Sequence, residues 1–146
     1  MCSSDLYDAR PSEILVDIIG LGAGVYDRCR ELGLPVRGVN VGEAAASRDN
    51  CMRLRDELWF KGREWFQDQA CSMPMDDALI AELTAPTYSF TSTGKMVVES
   101  KADMKKRGLR SPDLADAFLL TFACGERRKE RYRRPEPRPR RSGWAA

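Results

Sequence analysis

Glu13 to Gly20 reads EILVDIIG, and it runs into the glycine-punctuated stretch Gly20-Leu-Gly22-Ala-Gly24. A short, nearly continuous apolar run that ends in glycines is the pattern of a buried strand entering a turn. Val25 to Leu32 (VYDRCREL) then carries a helix, stopped by Gly33 and Pro35. Val36 to Val41 (VRGVNV) is a second short strand. Strand, helix and strand joined by short links predict a right-handed βαβ unit with a parallel pair, and so an α/β fold. The glycines do not make a nucleotide loop. Their spacing is GxGxG rather than GxGxxG, and no Gly-Lys-Ser/Thr follows. They read as a tight turn that lets the backbone pass close to a neighbour.

Working outward, Ser47 to Gln69 reads as a long helix capped by Ser47, with Met52, Leu54, Leu58, Trp59, Trp65 and Phe66 as its apolar faces. Met75 or Asp76 to Leu83 is a shorter helix with acids in its first turn. Tyr88 to Glu99 (YSFTSTGKMVVE) reads as a hairpin around Thr93-Gly94-Lys95. Ser111-Pro112-Asp113 opens the last helix, since Ser is a good cap and Pro fits the first helical position, and the helix runs through Ala123. Residues 1–10 carry no pattern and are set aside as a frayed or artefactual terminus. Residues 11–124 make up the domain. Residues 125–146, rich in Arg and Pro, form a basic tail expected to be disordered, because Pro135, Pro137 and Pro139 forbid a regular helix.

Composition narrows the chemistry. There is no His, which excludes Ser-His-Asp and Cys-His catalysis and any His metal ligand. The five cysteines have no CxxC pair among them, so neither a zinc site nor a disulfide framework is supported. No apolar run approaches the roughly 18 residues of a membrane span. The formal charge of +2 is uneven: Glu126 to Arg141 holds nine Arg/Lys against three Glu, a net of +6, so the rest carries −4. Eight of those nine cations are Arg, which suits phosphate contact as well as it suits a solvated tail.

Three acids stand out. Asp17 sits inside an apolar strand, where a carboxylate must be bonded to the following turn, paired, or bound to metal. Asp113 and Asp116 are three apart, so they share one face of a helix that is otherwise apolar nearly all round. Asp113 alone could simply favour a helix N-terminus. Asp116, one turn in, marks a site at the rim of the core. Hard divalent cations take oxygen ligands, and two of them held by several carboxylates can activate water against a phosphodiester. One acid on a strand and two on a later helix are half of such a plan.

Three stretches resemble one family. The segment from Asp17 to Arg28 (DIIGLGAGVYDR) is similar to the second acidic motif of tailed-phage large-terminase nuclease domains. Leu83 to Tyr88 with Val97 to Lys101 resembles that family's hairpin region, and Lys105 to Ala117 (KKRGLRSPDLADA) its third acidic motif. The resemblance spans about Pro11 to Ala123, with the motifs in family order. It implies an RNase H-like fold: a mixed sheet with flanking helices and a β-hairpin, here incomplete, with the first strands missing. It implies metal-dependent cleavage of concatemeric double-stranded DNA during viral genome packaging. The site would be Asp17, Asp113 and Asp116, all as catalytic and metal-binding acids for Mg2+ or Mn2+, with either Asp113 or Asp116 as the direct ligand. Arg127, Arg128, Lys129, Arg131, Arg133 and Arg134 would contact DNA.

The implied partners are double-stranded DNA and, for the intact parent, the small terminase subunit, the portal and other large subunits, in the host cytoplasm and with no membrane. The family's first acid and its ATPase domain would lie before Met1, so the chain alone is expected to be inactive. The alternatives are another RNase H-fold nuclease such as a resolvase, or a non-catalytic DNA-binding or motor-docking fragment.

Overall fold

The structure, a computed structural model, describes residues 11–46, 48–68, 71–73 and 75–124. Strand β1 (Ile14–Asp17) leads through a glycine turn into helix α1 (Gly22–Glu31), then to strand β2 (Val36–Val39). The two strands pair in parallel, with Ile14 opposite Val36 and Asp17 opposite Val39, and α1 packs on both. This is the βαβ unit that the apolar run predicts. The turn needs glycine at one point in particular. A Cβ at Gly22 would lie 1.7 Å from the carbonyl oxygen of Asp17, so only a bare backbone lets α1 start this close to β1.

Helix α2 (Leu54–Gln67) crosses the middle of the molecule, followed by helix α3 (Asp77–Thr84). Strands β3 (Tyr88–Phe90) and β4 (Met96–Val98) form the antiparallel hairpin, with Tyr88 opposite Val98. Helix α4 (Lys101–Lys106) and helix α5 (Asp113–Leu120) follow, and a 3-10 turn over Thr121–Ala123 extends α5. The α/β class with a parallel pair, flanking helices and a hairpin therefore holds.

Apolar burial is divided by α2. On one side Leu58 packs with Val39, Leu119 and Leu120, joining β2 to α5. On the other, Phe60 packs with Cys51 and Val98, joining the hairpin. Trp59 touches both clusters. The close packing of α2 on α5 depends on Gly62, since a Cβ there would lie 2.2 Å from Cδ2 of Leu119.

Three local readings are corrected. Helix α2 begins at Leu54 rather than Ser47, because the preceding segment is drawn into β-bridges, Ala44 with Arg53 and Cys51 with Met96. Ser47 itself lies outside the described residues. Ser111 does not cap α5; its Oγ turns to Asp113 Oδ1 at 2.8 Å, and the helix starts one residue later than Pro112. The cap comes from far along the chain, as Glu82 Oε2 accepts from the backbone N–H of Leu114 at 2.7 Å and of Ala115 at 3.0 Å. Helix α4 was not anticipated, although Ser100 followed by Asp103 is a capping pattern, and Ser100 Oγ accepts from Asp103 N at 3.1 Å.

Candidate active site

The C-terminal end of β1 and the first turn of α5 meet at a cleft of about 360 Å3, and Asp17, Asp113 and Asp116 all line it. Each arrives there for a local reason. Asp17 is the last residue of β1, and its Oδ1 accepts from Ile19 N at 3.1 Å in the turn beyond. Asp113 and Asp116 face the cleft because the opposite side of α5, with Ala115, Leu119 and Leu120, is buried in the core. Asp113 is largely exposed, its side chain 76% accessible, whereas that of Asp116 is 24% accessible.

A cation already occupies the space between the two α5 acids. The ammonium of Lys101, at the start of α4, lies 2.9 Å from Asp116 Oδ2 and 3.2 Å from Asp113 Oδ1. Burial works against the charged Lys101, but its two carboxylate partners outweigh it and leave its pKa raised. Asp113 is lowered, chiefly by the Ser111 hydroxyl and then by Lys101. The remaining oxygen of Asp116 is turned to α2, where Oδ1 accepts from the indole Nε1 of Trp59 at 3.2 Å and faces Arg55 Nε at 3.5 Å.

The donor set suits a hard divalent cation: all oxygen, no imidazole, and an ammonium seated where such a cation would be attracted. As the side chains stand, however, no group of three His, Cys, Asp or Glu among the described residues converges closely enough to hold a metal ion. The six basic residues from Arg127 to Arg134 expected to contact DNA, and the basic tail as a whole, lie outside the described residues. No helix among the described residues is long and apolar enough to cross a membrane.

No family model matches the chain, and no curated protein matches it. Solved structures do. A mutant nuclease domain of the large terminase subunit of bacterial virus Sf6, with manganese, is 21% identical, with a TM-score of 0.68 over 84% of this chain and 70% of that one. A mutant form from the same phage with calcium is 20% identical, with a TM-score of 0.66 over 84% and 69%. The unsubstituted nuclease domain is 21% identical, with a TM-score of 0.62 over the same shares. The fold is that of a phage terminase nuclease domain, the RNase H-like arrangement that the motifs imply.

Four residues at or behind the cleft carry no signal that sequence reasoning used. Lys101 stood only as the end of a motif stretch. Arg55 and Trp59 read as parts of an amphipathic helix, and Glu82 as an ordinary helical acid. Their neighbours Asp56 and Glu57 are nearly fully buried, at 2% and 1% accessibility, where a charged run suggests a solvated face. Asp56 Oδ1 accepts from Val98 N at 2.8 Å and its Oδ2 from Arg53 N at 3.0 Å. Glu57 Oε2 accepts from Ala46 N at 2.9 Å. These two acids satisfy backbone donors of distant segments and so hold α2 in place under the cleft.

Proposed function

We propose that the chain is part of the nuclease domain of a tailed-phage large terminase, and that its cleft hydrolyses phosphodiester bonds of concatemeric double-stranded DNA with Mg2+ or Mn2+. The observation that carries this reading is the meeting of Asp17 with Asp113 and Asp116 in one cleft, within a fold shared with phage terminase nuclease domains. Asp17 and the α5 acids would hold the metal. Bound divalent metal supplies Lewis-acid activation and lowers the pKa of water so that it can attack phosphorus at neutral pH. The protein's own part is to aim the carboxylates and to admit a phosphate backbone to the open cleft. Arg127, Arg128, Lys129, Arg131, Arg133 and Arg134 would add sequence-independent phosphate contact. The small terminase subunit, the portal and further large subunits would be the parent's partners in the host cytoplasm.

Because no three acids among the described residues converge as they stand, we expect metal binding by this chain alone to be weak and its cutting to be very slow at most. The same fact favours one second reading, a non-catalytic DNA-binding part of the motor. A plasmid-nicking assay with millimolar Mn2+ or Mg2+ separates the two. The nuclease reading expects slow nicking that EDTA stops and that Asp17→Asn abolishes, since an amide is a neutral, weaker ligand. Salt-sensitive DNA binding with no metal-dependent nicking supports the second reading. Nicking undiminished by Asp17→Asn removes Asp17 from the mechanism.

A further inference from the structure

We propose that Trp59 and Arg55 are positioning residues that grip one oxygen of Asp116, so that the other is presented to the cleft as the metal-facing ligand of α5. The proposal rests on the reading of the cleft as a metal-dependent site, and it assigns the direct contact to Asp116 rather than to Asp113.

The division of labour between the two oxygens is explicit. Oδ1 of Asp116 receives the indole N–H of Trp59 at 3.2 Å and faces Arg55 Nε at 3.5 Å, while Oδ2 carries only the Lys101 contact on the cleft side. Trp59 is fixed by the two apolar clusters it joins. Arg55 is fixed by its Nη1, which donates to Glu99 O at 3.1 Å, and by its seat over the Trp59 ring, 5.7 Å from the centroid. Both therefore stand on a rigid helix turn, pinned by the buried Asp56 and Glu57 beside them.

Arg55 is otherwise hard to account for. Its side chain is 17% accessible, and its Nε and Nη2 are buried with no hydrogen-bond partner. A guanidinium left so poorly satisfied is costly, and an apolar side chain of similar length would stabilise the fold as well or better. What it does face is Asp116. A carboxylate anchored at one oxygen offers the other in a fixed direction, and partners of this kind commonly carry a 10–100-fold share of metal affinity. Asp113, by contrast, has the Ser111 hydroxyl and the Lys101 ammonium as its partners, and it is mostly in water.

Charge and position make opposite forecasts, which makes the idea testable. Removing the Arg55 cation beside a metal site should tighten Mn2+ binding if only Coulomb forces matter. It should weaken binding if Arg55 aims the ligand. Mn2+ is titrated into the full chain into the millimolar range, with free Mn2+ read by electron paramagnetic resonance. The variants are Trp59→Phe, which keeps the ring and loses the N–H, Arg55→Met, Arg55→Lys, and Trp65→Phe as a control away from Asp116.

The expected result is affinity lowered about tenfold or more in Trp59→Phe and Arg55→Met, a smaller loss in Arg55→Lys, and none in Trp65→Phe. Amide spectra report whether each variant is folded; if Trp59→Phe is not, the Arg55→Met and Arg55→Lys pair decides. Unchanged affinity in a folded Trp59→Phe, or tighter binding in Arg55→Met, overturns the proposal alone. No Mn2+ binding by the unsubstituted chain, or binding that Asp116→Asn leaves unaltered, overturns the reading of the cleft and this proposal with it.

Discussion

The ammonium of Lys101 lies 2.9 Å from Oδ2 of Asp116, on the side of that carboxylate which opens to the cleft. A lysine in this position competes with any divalent cation for the same oxygen. Lys101→Ala should therefore tighten Mn2+ binding. The gain should be roughly fivefold, from the about 1 kcal/mol that a unit charge a few Å away contributes in a water-like medium. The side chain is 47% accessible, so the stability lost with the ion pair should stay within about 1 kcal/mol. The same Mn2+ titration, beside a urea melt, checks both; weaker Mn2+ binding would show that Lys101 helps assemble the site rather than fill it.

The cap that Glu82 gives to α5 governs where Asp113 and Asp116 stand. Glu82→Ala leaves two backbone N–H groups at the start of α5 without an acceptor. The loss should be about 1 kcal/mol of unfolding free energy, as for other N-terminal caps. Glu82→Gln, which keeps one carbonyl oxygen, should lose less. Urea denaturation measures the difference, and equal stability of all three proteins would remove Glu82 from the account of α5.

Two glycines two positions apart should respond in opposite directions. At Gly22 a methyl group would meet the Asp17 carbonyl, and backbone cannot step aside as a side chain can. Gly22→Ala should cost about 3 kcal/mol or more and displace β1 from α1. At Gly24, also in α1, a Cβ meets nothing within 4 Å. Gly24→Ala should stabilise the helix by roughly 0.5–1 kcal/mol. Thermal melts of the two variants give the signs directly.

The hairpin should loosen in acid. Glu99 Oε2 accepts from Thr87 N at 3.1 Å and Thr87 Oγ1 at 3.1 Å, and it also meets Arg107. These contacts, the Thr87 backbone first, hold its pKa below the ordinary value. A lowered carboxylate stabilises the fold above its unfolded pKa of about 4.3, and that contribution is lost as pH falls through the lowered folded value. The protection factor of the Thr87 amide should therefore fall below about pH 4, and Glu99→Gln should show low protection with no such acid step.

Much of this fold is legible because it is local. The apolar run into glycines gives β1 and its turn, Thr93-Gly94-Lys95 gives the hairpin, and Asp113 and Asp116 declare themselves by standing on an apolar helix. What is illegible depends on partners far along the chain. Ser47 looks like a cap, yet the segment after it is drawn into bridges, Arg53 with Ala44 and Cys51 with Met96. Ser111 looks like a cap, yet Glu82, thirty-two residues earlier than Leu114, performs that role. Asp56 and Glu57 look solvated until Val98 and Ala46 supply the donors that make their burial affordable. The site divides the same way. Its acids follow from pattern, whereas Lys101, Arg55 and Trp59 reach it only through the packing of α2 and α4.

The carboxylate of Asp56 is shared between the first turn of α2 and the backbone of β4. One side chain thus rivets the hairpin to the helix turn that carries Arg55 and Trp59. The outer strand of that hairpin offers Tyr88 and Phe90 to solvent, at 51% and 65% accessibility. A load placed on this strand would reach the mount of Asp116 through Asp56, beside the Arg55 bond to Glu99 and the packing of Phe60 on Val98.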